Sequence, residues 1–96
     1  MKVVVNVDGG ARGNPGPAAI GVVVSEPDGT VIDEVAERIG VATNNVAEYR
    51  AVLKGIERAQ ALAALSGFDR WRIRTVPRAQ NARADELVNA ALDGPG

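Results

Sequence analysis

Cysteine and histidine are both missing from the 96 residues of this chain. Their absence excludes disulfides, zinc-thiolate staples and every Ser–His or Cys–His nucleophile. A metal held by such a chain must sit on carboxylates, and all-oxygen sites select hard ions such as Mg2+ or Mn2+. Aromatic rings are scarce, with Tyr49, Phe68 and Trp71 the whole supply. The core must therefore be packed from Val, Ile, Leu and Ala, within one small domain spanning residues 1–96. No apolar run approaches the roughly 18 residues of a membrane span. Met1-Lys2-Val3 leads into an alternating strand rather than a signal peptide. The expectation is a cytoplasmic protein with no membrane partner.

An excess of one charge is lacking too. The formal net charge is −1, which by itself argues neither for nor against nucleic acid. Its distribution says more. Residues 1–68 hold 6 basic and 8 acidic side chains, whereas 69–96 hold 5 and 4. Arg70, Arg72, Arg74, Arg78 and Arg83 follow one another with no acid between them. Arginine suits bidentate phosphate contact; a solvated face of strand and loop explains the run equally well.

The β-branched run over 3–8 reads as a strand. Gly9, Gly10, Gly13, Pro15, Gly16 and Pro17 read as a loop. Strand character resumes over 18–25, Pro27-Asp28-Gly29 has turn chemistry, and 30–39 is the returning strand. Thr43-Asn44-Asn45 opens a helix on which Val46, Tyr49, Val52, Leu53, Ile56, Ala59 and Ala63 recur at helical spacing. Gly67 stands where a C′ residue belongs. A fourth strand is expected over 71–76, ended by Pro77. Asn81 then caps a last helix through Ala84, Leu87, Val88 and Leu92. The fold class is α/β: three antiparallel strands, one parallel strand in a mixed sheet, and two helices in the order βββαβα, with a right-handed crossover from first to fourth strand.

Three carboxylates stand at element ends: Asp8 closing the first strand, Glu48 early in the long helix, Asp85 early in the last. Each has an ordinary explanation. Asp8 can initiate a turn, Glu48 lies three after Asn45 where a capping-box acid belongs, and Asp85 favours a positive helix N-terminus. Together they form a different pattern, because acids meeting at one end of a sheet repel unless a cation fills the cluster.

Three ordered motifs carry a family resemblance. Asp8-Gly9-Gly10-Ala11-Arg12-Gly13-Asn14-Pro15-Gly16-Pro17-Ala18 resembles the opening strand and loop of type 1 ribonucleases H. Ala42-Thr43-Asn44-Asn45-Val46-Ala47-Glu48-Tyr49 resembles the start of that family's first helix. Val76-Pro77-Arg78-Ala79-Gln80-Asn81-Ala82-Arg83-Ala84-Asp85 is similar to its late loop and last helix in bacterial form. The resemblance implies an endonuclease cutting the RNA strand of an RNA–DNA hybrid with two divalent ions, Mg2+ or Mn2+. Carried over by position, Asp8, Glu48 and Asp85 are the catalytic metal ligands. Gly9, Gly10, Arg12, Asn14, Asn44 and Asn45 line the RNA side, where short donors and acceptors read 2′-hydroxyls. Arg78 and Asn81 are further substrate contacts.

The sequence departs from the family in one large respect. Its first helix runs straight into Phe68-Asp69-Arg70-Trp71, without the family's middle strand, its Asp-Ser pair and the helices that follow. A metal ligand goes with that block, and Asp69 stands at the wrong end of its strand to replace it. Reduced activity is expected, or hybrid binding without turnover. Either the fourth strand takes the vacant position in a compact monomer, or a second chain supplies an element in a domain-swapped dimer.

Overall fold

The computed structural model describes residues 2–66, 70–74 and 82–94. Its elements are β1 (Lys2–Ala11), β2 (Gly16–Ser25), β3 (Val31–Ala42), α1 (Asn44–Ser66), β4 (Arg70–Arg74) and α2 (Ala82–Asp93). They form one mixed sheet in the order β3-β2-β1-β4. β1 pairs antiparallel with β2 and parallel with β4, while β2 pairs antiparallel with β3.

Alternation of side chains divides the sheet into two faces. Val3, Val5 and Val7 of β1 join Ile20, Val22 and Val24 of β2 and Ala51 and Ala59 of α1 in the main core. The other face carries Ala19, Gly21 and Val23, likewise buried, and there α2 seats Ala84 and Val88. β2 is thus covered on both sides, which is why it is a nearly continuous apolar run. β3 is an edge strand bearing Asp33, Glu34, Glu37 and Arg38, charges that discourage pairing with other chains.

The hairpin between β2 and β3 forms as its residues dictate. The Gly29 amide donates to the Glu26 carbonyl at 2.9 Å, Gly29 takes φ of 96°, and Asp28 Oδ1 accepts from the Thr30 amide at 2.9 Å. β3 runs past the expected residue 39 to Ala42. A bulge allows this: Ala18 pairs Gly40 and Ala19 pairs Arg38, so Ile39 is the extra residue.

Two expectations are corrected. Gly9, Gly10, Gly16 and Pro17 belong to strands, and the turn is only Arg12 to Pro15, closed by the Arg12 amide donating to the Pro17 carbonyl at 2.8 Å. At Gly9 the missing side chain serves close approach rather than turning, because a Cβ there would run into the Ala47 carbonyl of α1. The buried face of α1 is also rotated from the expected one. Val46, Tyr49 and Leu53 are 46%, 65% and 48% exposed. Of the expected positions Ala59 is buried and Val52 and Ala63 pack against the core, but Ala47, Ala51 and Gly55, which continue the Ala59 stripe at every fourth residue, are buried as well. Small side chains bring the helix axis close to the sheet, with Val52 and Leu62 packed beside them against the core and Val46, Tyr49 and Leu53 left outside.

The expected C′ role of Gly67, the stop at Pro77 and the cap at Asn81 lie outside the described residues.

Candidate functional site

Asp8 and Glu48 share a cleft of about 510 Å3 with Val7, Gly9, Asn45, Tyr49 and Val52. It opens at the end of β1 lying beyond the last β4 pairing, Asn6 with Arg74. Gly9 lets α1 lie directly on β1 there, so the helix carries Glu48 to Asp8. The expectation that Asp8 closes the strand and initiates a turn is corrected, since β1 stays paired with β2 through Ala11. One carboxylate oxygen of Asp8, Oδ2, is shielded from solvent. Tyr49 and Val52, read from the sequence as apolar helix positions and not as site residues, form part of this wall.

The helix start is held by side chains. Thr43 is the N-cap, its Oγ1 accepting from the Val46 amide at 3.2 Å and its carbonyl from the Ala47 amide at 3.0 Å. Glu48 is therefore the fifth helical residue, beyond the reach of a capping box. The capping reading of Glu48 and its place in the first turn are corrected by this cap, as the first turn holds no acid. Asn44 Oδ1 accepts from the Ala11 amide at 2.8 Å, and Asn14 Oδ1 accepts from the Asn44 amide at 3.1 Å. These bonds clasp the β1–β2 turn to α1 and leave the Nδ2 groups as the donors of both amides.

The remaining candidates are spread more widely. Gly10 is buried in β1 opposite Ala19. Arg12 is ion-paired with Asp93 at 2.5 Å, which raises the guanidinium pKa and lowers that of the Asp93 carboxyl. Asp85 lies in the first turn of α2, with Asn89 Nδ2 at 3.4 Å from its Oδ2. Asp85 is not on the cleft, and among the described residues no three acidic side chains gather closely enough to hold one ion. The approach between Asp85 and Asp8 comes from the other face. Gly21 pairs directly with Asp8, and a Cβ at Gly21 would strike the Ala84 carbonyl, one residue before Asp85. Arg78 and Asn81 lie outside the described residues.

A β3-β2-β1-β4 mixed sheet with one helix on each face, and acids on β1 and on α1, defines a ribonuclease H-like α/β protein. The chain matches the reverse transcriptase-like family over residues 6–64. It belongs to that family, and within it to the type 1 ribonucleases H.

It is 38% identical to ribonuclease HI of Halobacterium salinarum, covering 90% of this chain and 62% of that protein. That alignment spans 123 positions, more than this chain contains, so the archaeal protein carries residues with no counterpart here. The crystal structure of the RNase H1 from that archaeon superposes with a TM-score of 0.82 at 36% identity, covering 97% and 98% of the two chains. LC11-RNase H1, solved in complex with an RNA/DNA hybrid, gives 0.79 at 32% identity over 95% and 96%. A bifunctional protein of Mycobacterium tuberculosis is 39% identical over 97% of this chain but only 36% of its own length. The chain thus spans less than two thirds of these two sequence relatives. Among the described residues no helix is long and apolar enough to cross a membrane.

Proposed function

We propose that the chain is a divalent-metal-dependent endonuclease that hydrolyses the RNA strand of RNA–DNA hybrids, with activity below that of its longer relatives. The observation that carries this reading is the cleft shared by Asp8 and Glu48 in a chain of the ribonuclease H family. The bound hybrid in one structural neighbour supports the substrate class. On this reading residues 1–96 act as one shortened domain in the cytoplasm. A monomer is favoured because β4 takes the position beside β1.

The donor set fits a hard cation. Mg2+ is commonly held by one or two carboxylates, keeping waters and adding substrate phosphate oxygens, and the open cleft has room for them. Asp8 and Glu48 would hold the ion in the cleft, and Asp85, which stands outside it on the α2 side, would be the further ligand that the family resemblance implies. When bound, such ions lower the pKa of an attacking water and stabilise the leaving 3′-oxygen. The chain itself selects and orients the substrate. The Nδ2 donors of Asn14 and Asn44, with Asn45 and the Gly9–Gly10 backbone, read 2′-hydroxyls. Arg12, Arg78 and Asn81 take phosphates.

A hybrid-binding module without turnover is the second reading. It is favoured by the absence, among the described residues, of three acids close enough to share an ion. Labelled hybrid incubated with Mg2+, Mn2+ or chelator separates the two. The enzyme cuts only with metal, and Asp8→Asn abolishes cutting without lowering the melting temperature. Salt-sensitive binding with no cleavage in any metal selects the second reading. Absence of binding sinks both.

A further inference from the structure

α2 is held to the sheet at both ends by two side chains of β3. At its start, Arg83 grips Glu34 with two bonds, Nε to Oε2 at 2.5 Å and Nη2 to Oε1 at 2.8 Å, and also reaches Glu86 at 3.0 Å. At its end, Arg38 donates from Nε to the Ala91 carbonyl at 2.5 Å. Its Nη2 donates to the carbonyls of Leu92 at 3.1 Å and Gly94 at 2.6 Å. Those carbonyls belong to the last turn and its exit, where a helix has no partners of its own for them.

The two attachments match in span. Glu34 and Arg38 are four strand residues apart, about 13 Å. Arg83 and Leu92 are nine helical residues apart, also about 13 Å. Register puts Glu34 and Arg38 on the same face as Val23, Gly21 and Ala19, the face that α2 covers. Midway between them Ala36 pairs with Gly21, and Gly21 pairs with Asp8. Among the described residues of α2 only Ala84 and Val88 are buried, so apolar packing alone specifies its seat weakly.

We infer that Glu34 and Arg38 are positioning residues that seat α2 at one height along the sheet and thereby set where Asp85 stands relative to Asp8. The inference deepens the proposed function, resting on Asp85 as a metal ligand. Neither residue lines the cleft of Asp8 and Glu48; each acts through the helix that carries Asp85.

The test is a double-mutant cycle read by Mn2+ binding, followed through water-proton relaxation in the absence of substrate. Arg38→Ala should weaken Mn2+ binding about tenfold, the low end for residues that orient metal ligands. Arg38→Lys, a point charge unable to bridge three carbonyls, should recover only part of it. Added to Asp85→Asn, Arg38→Ala should weaken binding no further, because the ligand it positions is already gone. Glu34→Gln repeats the cycle at the other end of α2 and serves if Arg38→Ala does not fold. Equal losses from Arg38→Ala with and without Asp85, or no loss from either β3 variant while Asp85→Asn weakens binding, overturn the inference. Unchanged binding in Asp85→Asn itself instead overturns the reading of Asp85 as a ligand.

Discussion

Asp8 and Gly21 face each other across the β1–β2 ladder, and the space where a Gly21 side chain would stand is filled by the Ala84 carbonyl of α2. A single glycine therefore determines how near the last helix comes to the acid on the first strand. Gly21→Ala should cost about 1–3 kcal/mol by overpacking. It should also reduce the rise in melting temperature that millimolar Mn2+ produces, because α2 must lift. Thermal melts of both proteins with and without Mn2+ check this; a stability loss with an unchanged metal response would separate α2 seating from the metal.

Thr43 and Glu48 should part company when each is replaced. Thr43→Ala removes the bond to the Val46 amide and should lower stability by about 1 kcal/mol, the usual worth of an N-cap. Glu48→Gln removes no cap, so its urea midpoint should match or exceed that of the parent protein, while metal-dependent cleavage falls. Equal loss of stability in both variants would restore the structural reading of Glu48.

Acid should loosen α2 before it unfolds the sheet. The side-chain hydrogen bond from Arg83 holds the Glu34 carboxyl below its ordinary value of 4.5, and that from Arg12 holds Asp93 below 3.8. A depressed carboxyl pKa contributes stability that is present above the unfolded-state value and disappears as pH falls through the folded one. Protection of α2 amides against hydrogen exchange should therefore be constant from neutrality down to about pH 5 and decline below the ordinary carboxylate range. Glu34→Gln should flatten that decline, and high salt should mimic it, since both pairs are exposed and screened.

The element order βββαβα was legible because the strands announce themselves by β-branched alternation and the hairpin by Pro27-Asp28-Gly29. Gly9, Gly10 and Gly16 misled, since glycine signals turns and close backbone approach alike, and only the position of α1 distinguishes them. The buried face of α1 was misjudged for a similar reason. Periodicity of apolar residues finds Ala59 and the half-buried Val52, Ile56 and Ala63 but also the exposed Val46, Tyr49 and Leu53, whereas the closest contact is made by the Ala47, Ala51, Gly55 and Ala59 stripe. Motif order sufficed to bring Asp8 and Glu48 together on one cleft. That α2 approaches Asp8 from the opposite face depends on strand register, which no local pattern encodes. The hold of Arg38 on α2 spans more than fifty residues of sequence and leaves no local trace beyond one cation among the acids of β3.

The coverage of β2 on both faces bears on how the chain is made. Synthesis delivers β2 well before α2, so one face of that strand, with Ala19, Gly21 and Val23, waits uncovered while more than fifty further residues emerge. The β1–β2–β3 meander and α1 are joined by short connections and can assemble as they leave the ribosome. What they leave open in the meantime is a strip of apolar sheet, the kind of surface that recruits chaperones or another nascent copy. Slowing translation before residue 82 should lengthen that exposure, and hastening the arrival of α2 should shorten it.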